Sequence, residues 1–387
     1  MLAATLCLTL TTAPMTGCSN KNEDKELEKP KPEKPKPDDD KDDDEELKGY
    51  PTLWEAFEGK FTMGAAVNPN QYGGNGAIDA KSTALVKKHF NSIVAENCMK
   101  MISVQRTEGN WTFEEADRFV RFGESNDMEI IGHCLCWHSQ VGEWMFKNAD
   151  GSRVSREKLI ERLKTHITTV ASRYKGKIKG WDVVNEAFNE DGSYRNSPFY
   201  QIIGPEYLDI AFETAHEADP DAELYYNDYN MSHGGKRTAV VNMIKHFKEK
   251  GIHITGIGLQ SHHAIGSHDP NLAAYEESIK AFANQGVNVM VTELDMSMFS
   301  WGDNGNPYVS GLPTDKSMEW NNRMMEFFKL YVKYKDHITR VTTWGVYDAI
   351  SWKNNFPVKG RTDYPLLFDR TGKPKAVVAN ILAGVLD

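Results

Sequence analysis

Eight short apolar runs, each followed by a longer amphipathic stretch, predict an α/β fold: a (β/α)8 TIM barrel built as one domain. Three observations carry this expectation. The alternation starts near residue 60 and continues to the end of the chain, composition does not break after Tyr50, and eight units in roughly 330 residues suit such a barrel. An open doubly wound sheet would carry a glycine-rich phosphate turn after its first strand. The stretch AAVNPNQYGG at 65–74 lacks that form.

In chain order, FTMGAAV (61–67) precedes DAKSTALVKKHF (79–90), and NSIVAEN (91–97) precedes TFEEADRFVRFGESND (112–127). EIIGHCLCWH (129–138) leads into SREKLIERLKTHITTVASRY (155–174), and IKGWDVVNEAF (178–188) into a helix around PEYLDIAFETAHEAD (205–219). AELYYNDYN (222–230) is followed by GKRTAVVNMIKHFKEKG (235–251), and ITGIGLQSHH (254–263) by NLAAYEESIKAFANQG (271–286). VNVMVTELDM (287–296) then precedes SMEWNNRMMEFFKLYVKY (317–334), and ITRVTTWGVYDA (338–349) precedes AVVANILAGVL (376–386). The first member of each pair has the branching and length of a buried parallel strand, and the second has a helical apolar period. Thr112 and Glu115 are spaced as a capping box, while Gly251 and Gly286 are placed to end two helices.

The N-terminal 49 residues do not share this pattern. Residues 1–18 are apolar, too short to span a bilayer comfortably, and end Thr16, Gly17, Cys18, so they read as a lipoprotein-type signal peptide with Cys18 as the lipidated residue. Residues 19–49 read as a disordered acidic linker rich in lysine and proline. Between 20 and 48 there are 13 acidic residues against 8 lysines, a net of −5, which is half of the chain's −10. Residues 50–387 are left only mildly acidic, and nothing invites a nucleic-acid partner. The expected product is an exported protein held to a bacterial membrane by its lipid and exposed at the cell surface. Cys98, Cys134 and Cys136 are an odd set, which argues against a disulfide framework. Cys134, Cys136 and His138 have no fourth ligand beside them, so neither a metal nor another cofactor is expected.

The information on function sits at the C-terminal ends of the strands. These carry Glu96, Asn97 and Lys100; His133, Trp137 and His138; Asn185 and Glu186; Asn227 and Asp228; Gln260, His262 and His263; Glu293 and Asp295; and Trp344. In a parallel barrel all of these ends converge on one mouth. Glu186 and Glu293 end strongly apolar strands four and seven, which face each other across the barrel. Two carboxylates at a cleft are what glycoside hydrolysis needs, one to protonate the leaving oxygen and one to attack or to activate water. Tryptophans stack on sugar faces, and Asn, Gln, His and Lys supply hydrogen bonds to hydroxyls.

These residues fall into motifs that resemble glycoside hydrolase family 10, the endo-β-1,4-xylanases: AENCMK, GHCLCWHSQ, WDVVNEAF, GIGLQSHH, VTELDM and TTWGVYDAISW, in family order from about Tyr50 onward. The resemblance implies endo-acting, retaining hydrolysis of xylan, with Glu186 as acid/base and Glu293 as nucleophile. It implies that Asn185 binds a sugar hydroxyl, that His262 orients Glu293, and that Asp295 positions His262. Glu96, Asn97, Lys100, His133, Trp137, Gln140 and Gln260 match substrate-binding positions, and Trp344 and Trp352 match an aromatic pair enclosing the bound sugar. Cys98 and Met101 depart from the family pattern, standing where glutamate and tryptophan are common, next to Asn97 and Lys100. A monomer acting on xylan and xylo-oligosaccharides is expected. Two rivals are a β-1,4-glucanase of the same clan and a surface glycan-binding lipoprotein that has lost activity; retention of both glutamates with His262 and Asp295 argues against the latter.

Overall fold

Parallel pairing closes the sheet on itself. The computed structural model describes residues 49–69, 79–265 and 270–386, so the expected signal, Cys18 and all but the end of the expected linker lie outside the described residues. Strands β1 (Thr62–Val67), β2 (Ser92–Ala95), β3 (Glu129–Trp137), β4 (Gly180–Asn185), β5 (Glu223–Asp228) and β6 (Gly256–Leu259) pair in sequence order. A short β7 (His262–Ala264) is followed by β8 (Asn288–Ser297) and β9 (Ile338–Thr343). Strand β9 pairs with both β8 and β1, and β6 pairs with both β5 and β8, which completes a ring of parallel strands. This is the (β/α)8 barrel expected from the alternation.

Helices occupy the outside: α1 (Leu53–Ala56), α2 (Ala80–His89), α3 (Met101–Val104), α4 (Glu114–Glu124), α5 (Arg156–Arg173) and α6 (Pro198–Ile203), followed by α7 (Tyr207–Ala218), α8 (Gly234–Lys250), α9 (Leu272–Ala283), α10 (Thr314–Lys333) and α11 (Ala376–Leu382). Helix α5 shows why they form. Ser155 accepts a hydrogen bond from Lys158 N as N-cap, and Leu159, Leu163, Ile167 and Val170 recur on one buried face. Gly251 ends α8 at φ 71°, a left-handed cap that an L side chain resists. Among the described residues no helix is long and apolar enough to cross a membrane.

Two expectations from the sequence change in detail. The run 254–263 is not one strand: it breaks at Gln260 and Ser261, and β6 and β7 pair separately with β8. Ser261 sits at φ 64° with its hydroxyl donating to Leu259 O, and the break re-aims the chain so that His262 meets Asp295 in register. The capping box of Thr112 and Glu115 does not form. Thr112 Oγ1 donates to Ser103 O at 2.7 Å, leaving Phe113 as N-cap without a side-chain bond, while Glu115 pairs with Arg118.

Strand β4 is buried along its whole length, with Trp181 and Val183 fully enclosed. Gly132 on β3 makes room for that indole: a Cβ there would lie 2.1 Å from the Trp181 ring. Close packing of this kind fixes β4 against β3, and with it the position of the carboxylate that follows β4.

Candidate active site

At the C-terminal mouth lies a cleft of about 660 Å³, large enough for a chain of sugar units. Glu186 follows β4 directly and Glu293 lies within β8, so the two carboxylates come from strands separated in the ring by β5 and β6, not from directly opposite ones. A small apolar cluster of Ala66, Val94, Ile131 and Trp344, with Trp352 against it, packs separately from the main core.

The two carboxylates have different company. Oε2 of Glu293 lies 3.0 Å from Nε2 of His262, and its Oε1 accepts from Asn227 Nδ2 at 2.7 Å. Nδ1 of His262 stands 3.0 Å from Asp295, which also accepts from Trp352 Nε1 at 2.7 Å. Among the described residues the Glu186 carboxylate accepts from neutral donors: Trp137 Nε1 at 2.9 Å, Gln260 Nε2 at 3.1 Å and Asn185 Nδ2 at 3.4 Å.

Side-chain amides join these centres. Asn227 Nδ2 donates to both Glu293 and Asn185 Oδ1, and Gln260 Nε2 donates to both Asn185 Oδ1 and Glu186. Asn227 is itself oriented by Thr292, whose hydroxyl donates to its Oδ1 at 2.6 Å. A continuous row of donors and acceptors thus runs from one carboxylate to the other, and the amide nitrogens of Asn227 and Gln260 each have a partner for both protons.

Charge follows from these contacts. Burial by itself would raise the Glu293 carboxyl, but the hydrogen bond and charge of His262, with Asn227, hold it below its ordinary value. Burial likewise disfavours a charged imidazole at His262, yet Asp295 and Glu293 outweigh it and push the ring up to about 9. Asp295, buried but facing His262 and Lys353, is held below its ordinary value. Near neutral pH the row Glu293, His262, Asp295 is therefore negative, positive, negative.

A sequence model described as Glycosyl hydrolase family 10 matches residues 52–383. The chain belongs to glycosyl hydrolase family 10. Endo-1,4-beta-xylanase A of Xylanibacter ruminicola is 47% identical over 347 residues, covering 86% of this chain and 93% of that protein. The endo-1,4-beta-xylanase of Geobacillus stearothermophilus is 41% identical over 328 residues, 84% of this chain and 96% of that one. Among solved structures, a family 10 endoxylanase retrieved from sugarcane soil metagenome superposes with a TM-score of 0.82 at 41% identity, covering 86% of this chain and 99% of that one.

Of the residues singled out from the sequence, this family 10 hydrolase places Glu96, Asn97, Lys100, His133, Trp137, Gln140, Asn185, Glu186, Gln260, His262, Glu293, Trp344 and Trp352 on the wall of one cleft. Asp295 stands behind His262, and Cys18 is outside the described residues. Lys100 binds its neighbours together, donating to Asn97 at 3.0 Å and Gln140 at 2.8 Å, with its ammonium 5.1 Å from the Trp137 ring centre. His133 is fixed by Asp182 at 2.9 Å. Burial raises the Glu96 carboxyl, against the opposing hydrogen bond of Asn68 and the charge of Lys100.

Cys98 and Met101, the two departures from the family pattern, are buried in the main core and do not line the cleft. Cys134 and Cys136 are buried free thiols, and among the described residues no three His, Cys, Asp or Glu side chains are grouped to hold a metal ion. Sequence reasoning missed Glu190, Tyr229, Asn230, Trp301 and Phe356, which also line the cleft. Tyr229 and Asn230 directly follow the Asp228 strand end, so a search one turn further along each loop would have found them. Trp301 and Phe356 sit in long loops with no local signal.

Proposed function

We propose that this chain cleaves internal β-1,4-xylosidic bonds of xylan with retention of configuration, through two displacements at the anomeric carbon. The observation that carries it is the inequality of the two carboxylates: Glu293 is ionised against His262, while the Glu186 carboxyl is hydrogen-bonded by the neutral side chains of Trp137 and Gln260. Glu293 attacks the anomeric carbon as Glu186 gives its proton to the glycosidic oxygen, the C–O bond breaks, and the leaving chain departs. The ester has no charge on Glu293, so Glu186 now acts as base. It takes a proton from water, whose oxygen replaces the ester oxygen, and both carboxyl groups return to their first state.

Asn185 is the hydrogen-bond partner of a hydroxyl on the reacting sugar. Glu96, Asn97, Lys100, His133, Trp137, Gln140 and Gln260 bind xylan and xylo-oligosaccharides along the cleft, and Trp344 with Trp352 encloses the ring. The names and the high coverage of the relatives support xylan as substrate. Reducing-sugar release from xylan and from carboxymethylcellulose, with Glu293→Ala as control, tests the assignment. Xylan hydrolysis that the variant lacks is expected. Preference for the cellulose derivative would move the chain to the glucanases, and silence on both with retention on insoluble xylan would make it a binding protein.

The small residues before Cys18 and the acidic, proline-rich stretch after it support a lipid anchor, a 19–49 spacer and cell-surface exposure of a monomeric barrel domain over 50–387. Labelled fatty acid incorporated by the parent and not by Cys18→Ser would support the anchor. Intact protein after protease shaving of whole cells would count against surface exposure, and light scattering reads the oligomeric state.

A further inference from the structure

We propose that Lys236, at the start of α8 and fully buried away from the cleft, is a positioning residue for proton transfer by Glu186, acting through the peptide group that joins Glu186 to Ala187. This rests on the assignment of Glu186 as acid/base.

The backbone at Glu186 is unusual. Its φ is 59°, in the left-handed region that a non-glycine residue occupies only when its surroundings impose it. This turn directs the carboxylate toward Trp137 and Gln260 instead of onward along the strand.

Contacts on both sides of the next peptide group hold the turn. The Glu186 carbonyl accepts from Arg195 Nε at 2.9 Å, and Ala187 N donates to Tyr226 OH at 2.9 Å. On the other side of the residue, Glu186 N donates to Asn227 O at 2.9 Å.

Lys236 reaches both contacts from behind. Its ammonium donates to Asp228 Oδ1 at 3.0 Å, and Asp228 Oδ2 accepts from Tyr226 OH at 2.5 Å, the hydroxyl that meets Ala187 N. The same ammonium donates to Tyr229 O at 3.0 Å and lies 4.0 Å from the Tyr229 ring centre, and Tyr229 OH accepts from Arg195 at 2.6 Å. One buried cation therefore orients an acceptor for the peptide N–H and a donor for its carbonyl. With Asp228 fully buried beside it, removing the cation leaves that carboxyl without its partner and two loosened arms. A sub-ångström drift of the Glu186 carboxyl is enough to weaken proton delivery to a leaving oxygen.

The test uses kcat/KM, which reports the first displacement, on xylan and on aryl β-xylobiosides whose leaving groups need or do not need a proton. Lys236→Met and Tyr226→Phe should lose about 10- to 100-fold on xylan and on the phenyl xylobioside. On the dinitrophenyl xylobioside they should stay within about threefold of the parent. The double variant should be no worse than the worse single one, because Tyr226 lies on one of the two arms that Lys236 holds. Equal loss on every substrate would mean a merely structural role and overturn the proposal, as would no loss in either variant. If Lys236→Met fails to fold, Tyr226→Phe, which removes one oxygen, decides alone. Glu186→Gln is the control: if it lacks the leaving-group split, the acid/base assignment itself fails. If it shows the split and Tyr226→Phe does not, only the role of Lys236 fails.

Discussion

Nε2 of His262 and Oε2 of Glu293 stand 3.0 Å apart, and each shifts the other toward its charged form. His262 is pushed up to about 9, so the imidazolium that supports Glu293 is fully present below the ordinary histidine range. It is lost as pH rises through about 9. We expect kcat/KM on xylan to fall along an alkaline limb near that value, and the melting temperature to fall over the same range. His262→Asn should have lower activity throughout and no such limb. An unchanged limb in the variant would assign the titration elsewhere.

Asn227 holds Glu293 and Asn185 with one amide nitrogen, at 2.7 and 3.0 Å. Asn227→Ala removes a bond to a buried carboxylate, about 1.5–3 kcal/mol, and lets Asn185 turn. A loss of about 10- to 100-fold in kcat is expected. Because Glu293 loses a direct bond while Glu186 keeps its shorter bonds from Trp137 and Gln260, the loss should be similar for good and poor leaving groups, opposite to the pattern expected for Lys236→Met.

Trp301 is 72% exposed, with Phe356 beside it at 5.9 Å and Trp352 stacked on Phe356 at 5.4 Å. These rings line the cleft outward from His262, whose ring lies 5.0 Å from Trp352. An aromatic contact of this kind is worth about 0.5–1.5 kcal/mol. Trp301→Ala should raise KM for xylan by roughly 2- to 12-fold while leaving a short aryl xylobioside unaffected. Equal effects on both would place the residue at the reacting sugar.

Gly132→Ala should lower the melting temperature, because its Cβ would come 2.1 Å from the rigid Trp181 ring and β3 would have to move away from β4. Overpacking of this kind costs typically about 1–3 kcal/mol. Thermal unfolding followed by circular dichroism measures it, and a variant as stable as the parent would show that β3 and β4 can separate freely.

The barrel and most of the cleft wall were legible in the chain because both depend on period and order. A parallel strand buried on two faces reads as a continuous apolar run, and successive crossovers bring every strand's C-terminal end to one mouth. Glu186, Glu293, His262 and Trp344 could thus be gathered without coordinates. The break at Ser261 was not legible: GIGLQSHH has no proline and no turn dipeptide, and only pairing with β8 shows that β6 and β7 are separate. Nor was the fate of Thr112, because the carbonyl of Ser103 that takes its hydroxyl comes from an earlier turn of chain.

What the sequence by itself determined is which strand-end side chains reach the mouth, since alternation and strand order dictate that. What only the tertiary structure decided is how those side chains divide the work. Glu186 and Glu293 look alike as strand-end acids. One faces an imidazole backed by Asp295, and the other faces an indole and two amides on a turn held from behind by Lys236. A carboxylate's charge is set by the groups within a few ångströms of it, and here those groups come from strands far apart in the chain.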